Sequence, residues 1–383
     1  MKDLSESRIL VVDDSKDSVE VLVQALRADY KLSVALSGEA ALKFVSKTTP
    51  DLVLLDVMMP GISGYDVCRQ LRKRPEFEHV PIMFLSARDE AESKVEGFEA
   101  GGTDYITKPF ELLELKARVR SLLKAKAFTD AAKELLAHDL RVAHDIQMGM
   151  VMHDFSGLAE RAPVDVHGVL EPAKEVGGDL YHAEFLDDRH LGFVVGDVSG
   201  KGIPAAIFMA VATTLIKTHL RQLRDPARVL QLLNDYLSVD NPSSMFVTLL
   251  CGILDVTTGK VACSSGGHTI PLHVRPDGRS TFIGLDTGMA AGILPGLTFA
   301  TFHLQLGPGE TFVAYTDGVT EAFNPRDEYF SDERLLEHFS KPSLGPSKRL
   351  VDDLLAHVRA FAEGEPQSDD IAVLAIRYLG AAS

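Results

Sequence analysis

Short β-rich apolar runs at 9–12, 32–35, 52–55, 82–85 and 105–106 alternate with helical patterns from Arg8 onward. Five strands separated by helices predict a doubly wound parallel α/β sheet over residues 1–124. Residues 111–123 then place Leu112, Leu115, Val119 and Leu122 at alternating spacings of three and four, a heptad seam. A second helical segment over 129–152 continues a stripe through Leu136, Leu140, Ala143 and Met150, and the seam is broken between Lys124 and Lys133. Gln147 holds a seam position where a polar side chain can fix the register of two paired helices. The pattern predicts a helical linker over 125–158 and a coiled-coil surface for a homodimer across 111–152. One helix packing on its own domains is the alternative. After Pro163 the chain alternates strands and Gly-rich turns at 192–195, 246–254, 260–264 and 311–315, with helical stretches at 203–223 and 226–238. That predicts an α+β domain over 159–383.

In a doubly wound sheet, functional groups collect outside the carboxyl ends of the strands. Those ends here read Asp13-Asp14, Asp56, Ser86 and Lys108-Pro109. Asp13 and Asp14 can hold a Mg²⁺, Asp56 can attack a phosphoryl donor, Ser86 can hydrogen-bond the phosphoryl oxygens and Lys108 can neutralise them. The runs ILVVDDS (9–15), LLDVMMPG (54–61), Ser86-Ala87 and GTDYITKPF (102–110) make residues 8–124 resemble a CheY-like receiver domain of response regulators. The resemblance implies phosphorylation of Asp56 by a histidine kinase or phosphotransfer protein. It also implies that Ser86 and Tyr105 shift together and alter the face around the fourth and fifth helices.

Charge and composition narrow the output. The net charge is −16, and 18 basic against 29 acidic side chains lie after residue 158. With no basic run or aromatic-basic interleaving, a nucleic-acid partner is excluded from the reading. Cys68, Cys251 and Cys263 are too few and scattered for a disulfide framework or a zinc site, and read as small buried apolar residues. The first seven residues lack the features of a signal peptide, and the longest apolar run, 203–216, is shorter than the roughly 20 residues of a membrane span. A cytoplasmic protein without a membrane partner is expected.

Four acidic spots in the C-terminal domain share one character, an Asp beside Gly or Ser at the edge of an apolar segment: Asp179, Asp197, Asp317 and Asp369. Collected together, they suggest a site for a hard divalent cation. The motifs EVGGDLY (175–181), GDVSGKGIPAA (196–206), GGH (266–268), YTDGVTEA (315–322) and SDDIA (368–372) occur in the order found in PPM-type serine/threonine phosphatases. Residues 160–379 resemble the SpoIIE-like bacterial branch, and 143–147 resemble the segment that precedes such domains. The resemblance implies a β-sandwich flanked by helices, with Asp179, Asp197, Asp317 and Asp369 as metal carboxylates. Asp197 would bridge two Mn²⁺ or Mg²⁺ ions, with the Val198 carbonyl as a further ligand.

Three positions depart from that pattern. Ser199 stands where many such phosphatases place a histidine implicated as leaving-group acid, His182 stands in place of a frequent Asp, and Ser265 to His268 replaces Asn-Ala-Gly-His. The 196–202 turn is one residue short for a phosphate-binding P-loop, and Ser199 lies outside any Gly-x-Ser-x-Gly elbow. The expected function is a response regulator whose phosphorylation on Asp56 controls a metal-dependent phosphoserine/phosphothreonine phosphatase. The resemblance implies a phosphorylated anti-sigma-factor antagonist as substrate. A catalytically weak phosphatase-like adaptor, binding a partner under receiver control, is the alternative.

Overall fold

The computed structural model describes residues 3–86, 91–239, 241–341 and 345–380. They form two compact units, Met1–His138 and Asp139–Ser383. Ala87, half of the Ser86-Ala87 pair, lies outside the described residues.

The first unit runs β1 (Arg8–Val12), α1 (Lys16–Leu26), β2 (Lys31–Ala35), α2 (Gly38–Val45), β3 (Leu52–Asp56), α3 (Gly64–Arg72), β4 (Ile82–Ser86), α4 (Ala91–Glu99) and β5 (Asp104–Thr107). Its strands pair in parallel in the order β2-β1-β3-β4-β5, the doubly wound sheet expected. Because strand side chains alternate, Leu10, Val12, Val53 and Leu55 pack with Val67 and Phe77 in one core, whereas Ile9, Val11, Leu52 and Leu54 pack with Leu22 in another. Burial on both faces is what a parallel sheet requires. Ser15, Ser37 and Ser63 cap α1, α2 and α3 by accepting N–H groups of the first turn.

One helix, α5 (Leu112–Met150), replaces the two segments expected at 111–123 and 129–152. The break in the apolar seam misled because Ala125, Ala127, Ala131 and Ala132 are strong helix formers that propagate a helix without an apolar face. Leu115, Val119 and Leu123 are buried in the first unit's core, so the first half of the seam is already used. Leu135, Leu136, Val142 and Ile146 are exposed.

The second unit continues with α6 (Ser156–Arg161), β6 (Val164–Glu171), β7 (Leu180–Phe185), β8 (His190–Val198), α7 (Ile203–Leu223), α8 (Pro226–Leu237), β9 (Val247–Asp255) and β10 (Lys260–Gly266). It closes with β11 (Leu272–Val274), β12 (Ser280–Phe282), β13 (Phe302–Gln305), β14 (Thr311–Tyr315), α9 (Ser331–His338), α10 (Ser347–Ala362) and β15 (Ile371–Tyr378). Two antiparallel sheets, ordered β13-β10-β9-β8-β7 and β12-β11-β14-β15-β6, face each other. Phe193, Leu250 and Leu254 of one meet Phe312, Leu374 and Ile376 of the other in the central core. Helices α7 and α8 cover the outer face of the first sheet, and α9 and α10 that of the second.

Among the described residues, α7 is the one helix long and apolar enough by composition to cross a membrane. Its Ala205, Met209, Ala212, Ile216 and Leu220, spaced as one helical face, are buried against the sheet. The three cysteines are free and buried, as their scatter suggested.

Candidate active site

In the first unit, β1, β3, β4 and β5 end on one edge of the sheet and bring their terminal side chains together. Carboxylate oxygens of Asp13, Asp14 and Asp56 lie within 4.8 Å of one another. Lys108 Nζ stands 2.7 Å from Asp13 Oδ2 and 3.2 Å from Asp56 Oδ1, and the Lys108 N–H donates to the Ser86 carbonyl at 2.6 Å. The Lys108-Pro109 peptide is cis. Burial, opposed by the Lys108 charge, raises the Asp56 carboxyl above its ordinary range. A Cβ on Gly64 would sit 2.1 Å from the Asp56 carbonyl oxygen, so only glycine lets α3 start this close to the strand end. Ser86 and Tyr105 are both buried. An all-oxygen triad of this size fits one Mg²⁺.

In the second unit, sheet register does the assembling. β7 and β8 pair with Leu180 opposite Gly196, so one further step places Asp179 opposite Asp197. In the other sheet, Tyr315 lies opposite Val373, and the Thr316 N–H donates to the Ala372 carbonyl at 3.0 Å, which brings Asp317 beside the Asp369-Asp370 turn. Two hydrogen bonds tie the sheets at this end. Thr316 Oγ1 donates to Asp179 Oδ2 at 2.6 Å, and the Gly178 N–H donates to Asp370 Oδ2 at 2.6 Å. The Val198 carbonyl lies alongside Gly178.

This end carries an excess of negative charge, offset in part by Lys201. Burial first, then the charges of Asp317 and Asp369, push the Asp197 carboxyl up to about 7. Burial and the neighbouring Asp197 drive Asp179 well above the carboxylate range, and burial followed by Asp369 raises Asp317. Carboxylates held this way gain from a bound dication. The donors fit Mg²⁺ or Mn²⁺, being oxygen throughout. Among the described residues, only the first unit's triad is gathered within 4.8 Å.

Four further residues support the site. Gln147 of α5 is buried; its Nε2 donates to the Gly177 carbonyl at 2.6 Å, and its Oε1 accepts the Gly177 N–H at 3.1 Å. Asp370 accepts the N–H groups of Ala173 and Gly178, and a Cβ on Gly177 would lie 2.0 Å from its Oδ2. Thr316 is fully buried and also accepts the Ala372 N–H at 2.8 Å. Lys201 Nζ stands 2.8 Å from Asp369 Oδ2. The motifs contain Thr316, Asp370 and Lys201, but nothing in their spacing announces these partners. Gln147 reads in sequence as a coiled-coil residue, and here it faces the Gly177 loop instead.

Among the departures from the phosphatase pattern, Ser199 and His268 have hydrogen-bond partners, whereas neither ring nitrogen of His182 has one. Ser199 Oγ accepts the Phe246 N–H at 2.9 Å, closing the β8–β9 end. His182 lies three residues beyond Asp179 on β7, hence on the opposite face, 3.5 Å from Glu184 Oε2. His268 is buried, with Nδ1 2.9 Å from Thr248 Oγ1, and burial pushes its imidazole down to about 3.

Comparison with known proteins bears on the family and the fold. Residues 187–379 match Stage II sporulation protein E (SpoIIE), and residues 9–120 match the response regulator receiver domain. Protein IcfG of Synechocystis sp. is 29% identical over 238 residues, covering 55% of this chain and 37% of that protein. Response regulator PleD of Caulobacter vibrioides is 40% identical over 137 residues, covering 36% and 30%. The chain thus spans about a third of the length of these curated relatives. The SiaA-PP2C domain of Pseudomonas aeruginosa shares the fold with a TM-score of 0.57 at 21% identity, covering 65% of this chain and 99% of that one. The PP2C phosphatase domain of SpoIIE from Bacillus subtilis, solved with a fragment of its regulatory domain, gives 0.52 at 18% identity, covering 58% and 63%.

Proposed function

We propose, from the premise that this chain belongs to the Stage II sporulation protein E (SpoIIE) family, that it is a two-component response regulator with a metal-dependent phosphoserine/phosphothreonine phosphatase as its output. A receiver domain, over 1–124, is joined through a helical linker, 125–158, to the phosphatase domain, 159–383. The observation that carries the reading is the convergence of Asp179, Asp197, Asp317 and Asp369 from four strand ends onto one end of the sandwich.

Asp179, Asp197, Asp317 and Asp369, with the Val198 carbonyl, would hold two Mn²⁺ or Mg²⁺ ions. When bound, these supply a water nucleophile and screen the phosphoryl group during in-line displacement. The chain's own part is positional. Thr316 fixes Asp179 by its hydroxyl, Asp370 fixes the Gly178 N–H, and Gln147 fixes the Gly177 loop. Burial and repulsion from neighbouring carboxylates raise the Asp179 and Asp197 carboxyls above the ordinary range, so a bound dication would favour their ionised forms. The Ser199 Oγ accepts the Phe246 N–H, and a serine hydroxyl is a far weaker acid than the histidine implied at this position, so acid assistance to the leaving group comes from elsewhere.

In the receiver, Asp13, Asp14 and Asp56 would hold Mg²⁺, Asp56 would take the phosphoryl group from a histidine kinase or phosphotransfer protein, and Lys108 with Ser86 would steady its oxygens. Control passes through α5, whose Gln147 grips the loop before Asp179. Two copies pair through the second half of 111–152, where Leu135, Leu136, Val142 and Ile146 are exposed. The protein acts in the cytoplasm on a phosphorylated anti-sigma-factor antagonist. Manganese-dependent release of phosphate from a phosphoserine protein, lost in Asp197→Ala, is the test. Activity that survives the substitution, or is absent from both, counts against the enzyme reading.

A further inference from the structure

Asp369 is engaged at both carboxylate oxygens. Its Oδ1 accepts the Asp370 N–H at 2.9 Å, and its Oδ2 faces the Lys201 ammonium at 2.8 Å. The same ammonium donates to the Ser368 carbonyl at 2.7 Å. Little else holds this lysine. Its neighbours Gly200 and Gly202 have φ of +86° and +75°, a Cβ on either would meet nothing within 4 Å, and the lysine side chain is 45% exposed. Lys201 therefore occupies a carboxylate of the metal cluster from an open turn.

We propose that Lys201 is a resident cation that competes with the divalent ion for Asp369, and so sets how much metal the phosphatase site needs before it fills. The proposal rests on the reading of Asp369 as a metal carboxylate. An ion approaching Asp369 meets an oxygen already paired and a positive charge beside it, and like charges in one site oppose each other. Displacement is inexpensive because the open turn and solvent receive the freed ammonium. A different role for the same contact, in which Lys201 orients Asp369 for the ion as an outer-shell partner, predicts the opposite sign.

The experiment is calorimetric titration of Mn²⁺ into the full-length, chelator-stripped protein, in an Asp13→Asn, Asp56→Asn background that silences the receiver triad. Lys201→Met should bind Mn²⁺ about threefold to tenfold more tightly at low salt, the modest range expected of an exposed pair. The difference should shrink in roughly 0.5 M salt, where exposed charges are screened. Lys201→Arg, which keeps the charge, should match the parent, and Lys201→Gln should follow Lys201→Met. Equal or weaker binding by Lys201→Met, tighter binding by Lys201→Arg, or no Mn²⁺ binding by any variant overturns the proposal. The phosphatase reading fails separately, if affinities shift as stated but neither parent nor variants hydrolyse a phosphoserine protein.

Discussion

Gln147 and Gly177 exchange two hydrogen bonds, side-chain amide to backbone carbonyl at 2.6 Å and backbone N–H to side-chain oxygen at 3.1 Å. The glutamine belongs to the long helix α5, and the glycine sits two residues before Asp179. A helix turn and a carboxylate-bearing loop thus move as one piece. Asp370 closes the other side of that loop through the Gly178 N–H.

Gln147→Ala leaves both backbone groups of Gly177 buried and unpaired. At roughly 1–3 kcal/mol for each unsatisfied group, the phosphatase unit should lose about 2–6 kcal/mol in a denaturant titration. Manganese affinity should fall with it, because the loop no longer holds Asp179 in place. Gln147→Glu, which keeps an acceptor for the Gly177 N–H but offers no donor to its carbonyl, should fall between the two. A variant with unchanged stability and unchanged metal affinity would show that the clamp carries no weight.

Thr316→Val is the matching test across the sheets. Valine keeps the shape but removes the hydroxyl that donates to Asp179 Oδ2 and accepts the Ala372 N–H. Loss of a charge-assisted bond in a buried site costs about 1.5–3 kcal/mol, so kcat should drop roughly tenfold to a hundredfold by the usual conversion. Thr316→Ser should restore most of it, since only the hydroxyl is required. Steady-state phosphate release with the three proteins settles the point.

Much of this molecule was legible in the chain. Strand-end residues Asp13, Asp56 and Lys108 converge because a parallel sheet puts all strand carboxyl ends on one edge, a consequence of period and direction alone. Their meeting is visible as the Lys108 contacts to both aspartates. Asp179 and Asp197 meet for a different reason, antiparallel register, which the motif order suggested only by resemblance. Gln147 escaped because its partner is 30 residues away, and a polar residue on an apolar helix face looks the same whether it meets another helix or a loop. Thr316 escaped for a similar reason, as its partner lies on the opposite sheet. The continuity of α5 was hidden by a seam that stops where alanine takes over, because burial pattern and helix propensity are separate signals.

Asp56→Asn tests the link between the two units. Phosphorylation at this carboxylate alters charge beside Lys108, which already contacts both Asp13 and Asp56. A small-molecule phosphodonor should change the phosphate-release rate of the wild type severalfold, by shifting a two-state element. The same donor should leave Asp56→Asn at its basal rate. Equal rates with and without donor in the wild type, at matched oligomeric state, would mean that the receiver does not govern the output.

Stability against pH offers a test that needs no substrate. The Asp197 carboxyl is raised to about 7 in the folded, metal-free protein, by burial and by Asp317 and Asp369. Its unfolded value is about 3.9. A folded state that binds its proton more tightly than the unfolded state is favoured at low pH, and the advantage is lost as pH rises through the folded value. In chelator, the melting temperature of the phosphatase unit should therefore fall between pH 5 and 8. The fall should be about 5 °C or more, given roughly 2–4 °C per kcal/mol in a domain of this size. Asp179, raised in the same sense, adds to the slope. Asp197→Asn removes one titrating group and should flatten the curve, leaving the variant more stable than wild type at pH 8 in chelator. Excess Mn²⁺ should reverse the order there, because it stabilises a protein that retains Asp197 and does little for one that lacks it. A wild-type melting temperature that rises from pH 5 to 8 in chelator would show that the carboxylates are not held against one another, and with that the argument for a cation at this end of the sandwich loses its electrostatic basis.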